Sequence, residues 1–177
     1  ILDNFIVISE AYNMTNQPDA PIVSVLGGSK SDFPFLSKSV DILTDLQIPN
    51  ELKVVSAHRT PDLLFEYAEK AEDKGIKIII AGAGGAAHLP GMLASKTLLP
   101  VIGVPIPLNN LNGIDSLLSI VQMPRGVTVA TVAIGGAENA AILAAEILSI
   151  SDPKIKQNLT NWRNNMTEKI ILDHEHN

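Results

Sequence analysis

The segment VVSAHRTPDLLFEYAEK, residues 54–70, sets His58 beside Arg59 between a short β-branched run and apolar residues at Leu63, Leu64, Tyr67, Ala68 and Ala71. An imidazole with an ordinary pKa near ~6.5 can give and take a proton at neutral pH. A guanidinium is shaped for two-point contact with phosphate. Pro61 predicts the first turn of a helix with Thr60 as its N-cap, so His58 and Arg59 fall in a strand-to-helix turn. A second segment, GGSKSD (27–32), is a candidate phosphate cradle: its glycines let backbone approach a ligand, Ser29 and Ser31 add hydroxyls, and a helix starting near Asp32 turns its amides the same way. It lacks the spacing of a Walker A loop. The plainer alternatives are that Ser31 or Asp32 only caps a helix and that His58 and Arg59 are surface residues; convergence of the segments on one rim favours a site.

A third segment, AGAGGAAHLPGM (81–92), contains Gly82, Gly84 and Ala87 in a G-x-G-x-x-A pattern. A dinucleotide site would need an acidic residue about ~20 positions on and a place in the first β-α-β unit. No Asp or Glu occurs between Asp73 and Asp115, and the pattern follows the third strand candidate. We therefore read Ala83, Gly84 and Gly85 as part of a tight, apolar, amide-rich wall, with His88 facing the ligand or capping the next helix. QMPRG (122–126) is a further rim candidate, with Arg125 alternatively in an ion pair. H-E-x-x-H, G-x-S-x-G and carboxylate clusters with metal spacing are absent from the sequence, and His174 and His176 fall in a polar tail.

The elements that must position these segments follow from the apolar runs. PIVSVLG (21–27), ELKVVS (51–56), KIIIAG (77–82), PVIGVPI (100–106) and VTVATVAI (127–134) are nearly continuous in hydrophobicity, as strands covered on both faces should be. Helical spacing recurs between them, at Phe35, Leu36, Val40, Leu43 and Leu46, and again at Leu117, Ile120 and Val121. Five β-α units predict a single α/β domain: a doubly wound parallel sheet of flavodoxin-like or Rossmann-like type between two helical layers, with ligands beyond the carboxyl ends of the strands. The expected organisation is an N-terminal extension over 1–20, with Met14 as a candidate natural start, the catalytic α/β region over 21–150, and a C-terminal helix and tail over 151–177 within the same domain.

Composition narrows the function. Thirteen basic against 19 acidic residues give a formal net charge of −6, without the basic footprint of a nucleic-acid binder. With no cysteine, disulfides, thiolate metal sites and cysteine nucleophiles are excluded, and the cytoplasm is the expected compartment. Residues 78–95 carry no charge, but five interrupting Gly and Pro residues leave no run near the ~20 apolar residues of a spanning helix. The opening residues have no basic n-region and do not read as a signal peptide. AENAAILAAEILSI and the stripe Ile155, Leu159, Trp162, Met166 and Ile170 are more apolar than one sheet face can cover. We expect these helices to pack between subunits, the alternative being that the last helix folds back on its own domain.

GSKSD, VVSAHRTP, AGAGGAAHLPGM, GIDSL (113–117) and SIVQMPRG, in that order, resemble the motifs of the class I N5-carboxyaminoimidazole ribonucleotide mutases of bacterial purine biosynthesis, the PurE family. The likeness runs over about residues 21–165. It implies a flavodoxin-like three-layer fold, a homo-octamer, no metal or organic cofactor, and isomerisation of N5-carboxyaminoimidazole ribonucleotide to the 4-carboxy compound. Residue by residue, it implies catalysis by His58 and nucleotide binding by Ser29, Asp32 and Arg59. Ser56, Ala57 and Ala83 to Gly85 match positions lining the same pocket. Phe33 stands where the family often has Trp, and AIGGAENAA (133–141) is shorter than the usual loop. Rival readings are direct carboxylation of aminoimidazole ribonucleotide, which SAHRTP in place of a SAHKGP-like turn disfavours; a nicotinate-nucleotide carboxylase; and a silent nucleotide-binding or assembly subunit.

Overall fold

The apolar runs become five parallel strands: β1 (Val23–Gly27), β2 (Asn50–Val54), β3 (Ile78–Gly84), β4 (Val101–Ile106) and β5 (Ala130–Thr131), ordered β2-β1-β3-β4-β5. This is the flavodoxin-like strand order, in which the chain changes direction across the sheet between β1 and β3. The structure, a computed structural model, describes residues 20–175. All but the last residue of the proposed extension, Met14 included, and His176 lie outside the described residues.

Both faces of the central strands are covered, which is why their sequences do not alternate. Ile78 and Ile80 of β3 join one core with Val23, Val25 and Ile102, under α1 (Phe33–Asp45) and α5 (Ala137–Ser149). Ile79 and Ala81 face the other core, with Leu26 and Val101, under α2 (Pro61–Lys70), α3 (Leu89–Ala94) and α4 (Ile114–Val121). Gly82 makes the first packing possible: a Cβ there would lie 2.6 Å from Leu36 Cδ2 of α1. That close approach accounts for one glycine of the apparent dinucleotide pattern.

The edges depart from expectation. Val54 is 40% exposed, because β2 has a neighbour on one side only. Leu63 is also exposed; Leu64, Tyr67 and Ala68 form the buried face of α2. β5 shrinks from the expected eight residues to Ala130–Thr131, paired with Ile102 and Gly103, since a turn closed by Val127 N donating to Pro124 O takes its beginning. The Tyr67 hydroxyl ties α2 to the sheet through Ser24 and Glu51.

Alanines 137, 140, 141, 144 and 145 form the buried face of α5. The final helix α6 (Pro153–Glu175) starts on its own domain: Ile155 and Leu159 are buried, and Asn158 Nδ2 donates to Leu46 O at 2.9 Å. Its far half exposes Met166, Ile170, Ile171 and Leu172. The fold-back alternative thus describes the first half, and the exposed apolar stripe the second. Among the described residues no helix is long and apolar enough to cross a membrane.

Candidate active site

The loops after β1, β2 and β3 meet at the carboxyl edge of the sheet, around the β1/β3 switch point where such folds bind ligands. In the first, Lys30–Asp32 forms a 3-10 turn whose N-cap is Ser29 rather than Ser31. Ser31 N donates to Ser29 Oγ at 3.2 Å; the Ser29 side chain also accepts from the Asp32 backbone while Ser29 N donates to Asp32 Oδ2 at 2.9 Å, a reciprocal capping box. The two serine hydroxyls are hydrogen-bonded to each other on the exposed rim. Burial pushes the Asp32 carboxyl above the ordinary carboxylate value, against the lowering effects of the Ser29 and Gly28 amides and of Arg59. The residues that cap this turn are thus also residues that line the cavity.

In the second loop, Thr60 occupies the N-cap position of α2 but makes no side-chain cap. Its Oγ1 turns back, donating to Ser56 O at 3.1 Å and accepting from Ser56 N at 3.2 Å, which closes SAHRT on itself. Arg59 then bridges two loops: Nε donates to Ser56 Oγ at 3.1 Å and Nη2 to Gly28 O at 2.7 Å. These two bonds fix its guanidinium beside Ser29 and Ser31, a positive charge held at the cavity.

The third loop brings up His88. It stands at the N-cap position of α3 without capping it; instead its Nδ1 lies 2.7 Å from His58 Nε2, the rings edge to face with centroids 4.8 Å apart. A contact this short needs one nitrogen to donate and the other to accept, so the two rings share a single proton at the contact.

Ser29, Ser31, Asp32, Ser56, Ala57, His58, Arg59, Ala83, Gly84 and His88 all line one cavity of about 230 Å³. Gly85 stands outside that lining, because its amide donates to Ser116 Oγ at 2.8 Å. Gly28 of GGSKSD, Ala86 and Leu89 of AGAGGAAHLPGM, and Leu108, which lies outside the three segments, also line the cavity. Leu108 follows β4, is half-exposed and lines the cavity; an apolar residue two positions past the end of a strand is the signal that points to it. QMPRG lies elsewhere: it leaves α4 at the amino edge, where Gly126 shares a separate hollow with Leu98 and Pro100. Among the described residues no group of three or more His, Asp or Glu side chains is placed to hold a metal ion.

The model of the AIR carboxylase family matches residues 22–169. A Pseudomonas aeruginosa protein named N5-carboxyaminoimidazole ribonucleotide mutase is 60% identical over 152 residues, 85% of this chain and 93% of that one. Proteins of the same name from Bacillus subtilis and Escherichia coli are 58% and 52% identical, covering 85% and 89% of this chain and 94% and 95% of their own length. The crystal structure of Treponema denticola PurE superposes with a TM-score of 0.81 at 29% identity, covering 88% of this chain and 98% of that one. With the match extending over both the sheet and the loops that build the cavity, the chain belongs to the AIR carboxylase family, among its PurE-type members.

Proposed function

We propose that the chain is an N5-carboxyaminoimidazole ribonucleotide mutase, an isomerase of purine biosynthesis, with His58 as its acid and base. The observation that carries this reading is the convergence on one small cavity of an imidazole pair, a pre-fixed arginine, a serine cradle and an apolar Gly/Ala wall. Each part answers a need of the reaction, and the relatives named above bear the same activity in their names.

The substrate's phosphate takes the Ser29 and Ser31 hydroxyls and Arg59, and its ribose hydroxyls donate to Asp32. The bond between the exocyclic nitrogen and the carboxylate breaks, its electron pair staying on nitrogen, which receives the proton from His58; CO2 is released. The ring carbon then attacks CO2, forming the new carbon–carbon bond, and its proton returns to His58. Atoms and charge balance with no external reactant. His88, bonded to His58, orients the imidazole and shares its proton. Ala83, Gly84 and Ala86 line the space in which CO2 is held between the two steps. The exposed apolar half of α6 supports a homo-oligomer, an octamer in this reading, and the cysteine-free sequence a cytoplasmic setting.

The test is turnover in EDTA without ATP. N5-carboxyaminoimidazole ribonucleotide should convert rapidly to the 4-carboxy isomer, while aminoimidazole ribonucleotide with bicarbonate reacts slowly. Efficient use of the second mixture alone would make the protein a direct carboxylase, and silence with both would leave a binding or assembly role.

A further inference from the structure

Ser116 belongs to α4, outside the three site loops, and its side chain is fully buried. Its Oγ accepts from Gly85 N at 2.8 Å and donates to Ile106 O at 2.8 Å, so the hydroxyl's one proton is used and so is one of its lone pairs. Gly84 and Ile106 are the last paired residues of β3 and β4. The hydroxyl therefore stands where the next rung of the ladder would be, just as the strands part. Ser119 Oγ also reaches Gly85 O, at 3.3 Å, but its proton is better placed for Asp115 O at 2.7 Å. The turn thus depends chiefly on Ser116. Gly85 sits at φ +65°, a left-handed conformation, and through that reversal Gly84 and Ala86 line the cavity while Gly85 does not.

We infer that Ser116 is a positioning residue for the carboxyl transfer: by holding the Gly85 turn it keeps the Gly84–Ala86 wall closed on CO2 between release and capture. The inference rests on the mutase reading. Removing the hydroxyl orphans a part-buried N–H and a buried C=O, and the turn relaxes to find other partners, water among them. Nothing that touches the phosphate or ribose moves, so the defect falls on CO2 retention rather than on nucleotide binding.

The experiment supplies unlabelled N5-carboxyaminoimidazole ribonucleotide to the full chain in ¹³C-bicarbonate with carbonic anhydrase, and reads the label in the product. Ser116→Ala should raise the labelled fraction about fivefold and lower kcat about tenfold, with KM within about twofold of wild type. Should that variant fail to fold, judged by its circular dichroism melt, Ser116→Cys gives the same reading with nearly the same volume and a much weaker hydrogen-bonding group. A folded Ser116→Ala or Ser116→Cys with the wild-type labelled fraction would overturn the inference, whatever its melting temperature. A wild-type protein inert toward the substrate would overturn the mutase reading, and this one with it.

Discussion

At the carboxyl edge of the sheet a cavity of about 230 Å³ gathers His58, His88, Arg59, Asp32 and two serines, while at the amino edge a hollow of about 730 Å³ runs past Glu69, Glu72, Lys96 and Leu98. The larger space is the poorer site. Lys96 is already paired with Glu69 and lies over the Phe65 ring, and α2 arrives there with its carbonyl end. At the carboxyl edge α1 and α2 begin, so the positive ends of their dipoles lie on that side of the sheet. In a parallel sheet this asymmetry comes from chain direction alone: an anionic nucleotide is favoured at one edge and disfavoured at the other, whatever the volumes.

The sharpest way to break the comparison is to remove chemistry from one edge at a time. His58→Asn should lower kcat by roughly 10²–10⁴-fold with nucleotide affinity within about threefold, measured by turnover and calorimetry. Arg59→Ala comes next: nucleotide Kd should rise about 10–100-fold, the range expected for a hydrogen bond to a charged group, and Arg59→Lys should recover only part of it.

Asp32→Asn should have a smaller effect, seen in the pH dependence of unfolding. Burial, the largest influence, raises the folded-state pKa, so the folded protein keeps a proton that the unfolded chain has released. Its stabilising contribution is complete below the ordinary carboxylate value and is lost as pH rises through the raised one. Denaturant melts across that window should show wild-type stability falling more steeply with pH than that of the Asn variant. Least of all, Lys96→Ala at the amino edge should leave kcat unchanged and stability within about 0.5 kcal/mol, since its ion pair is exposed.

How much of this was legible in the sequence depends on which forces set each feature. β1, β3 and β4 are written plainly, because burial on both faces demands continuous β-branched runs. β2 and β5 are less so: at an edge, pairing partners and turns decide where a strand stops, as at Val54 and Val127. His58, Arg59, Ser29 and Asp32 could be placed together because each follows a strand. The fate of the Gly85 amide could not, since its partner Ser116 is 31 residues away and meets it only through the β3–β4 register. QMPRG shows the converse case, a segment with site-like residues that the chain direction carries to the other edge.

The claim that the carboxyl edge is the seat of the reaction is tested most directly by a crystal structure with aminoimidazole ribonucleotide bound. Its phosphate is expected within hydrogen-bond reach of Ser29, Ser31 and Arg59, with the imidazole beside His58. A nucleotide seated in the hollow lined by Glu69 and Lys96, or one whose imidazole lies away from His58, would contradict it.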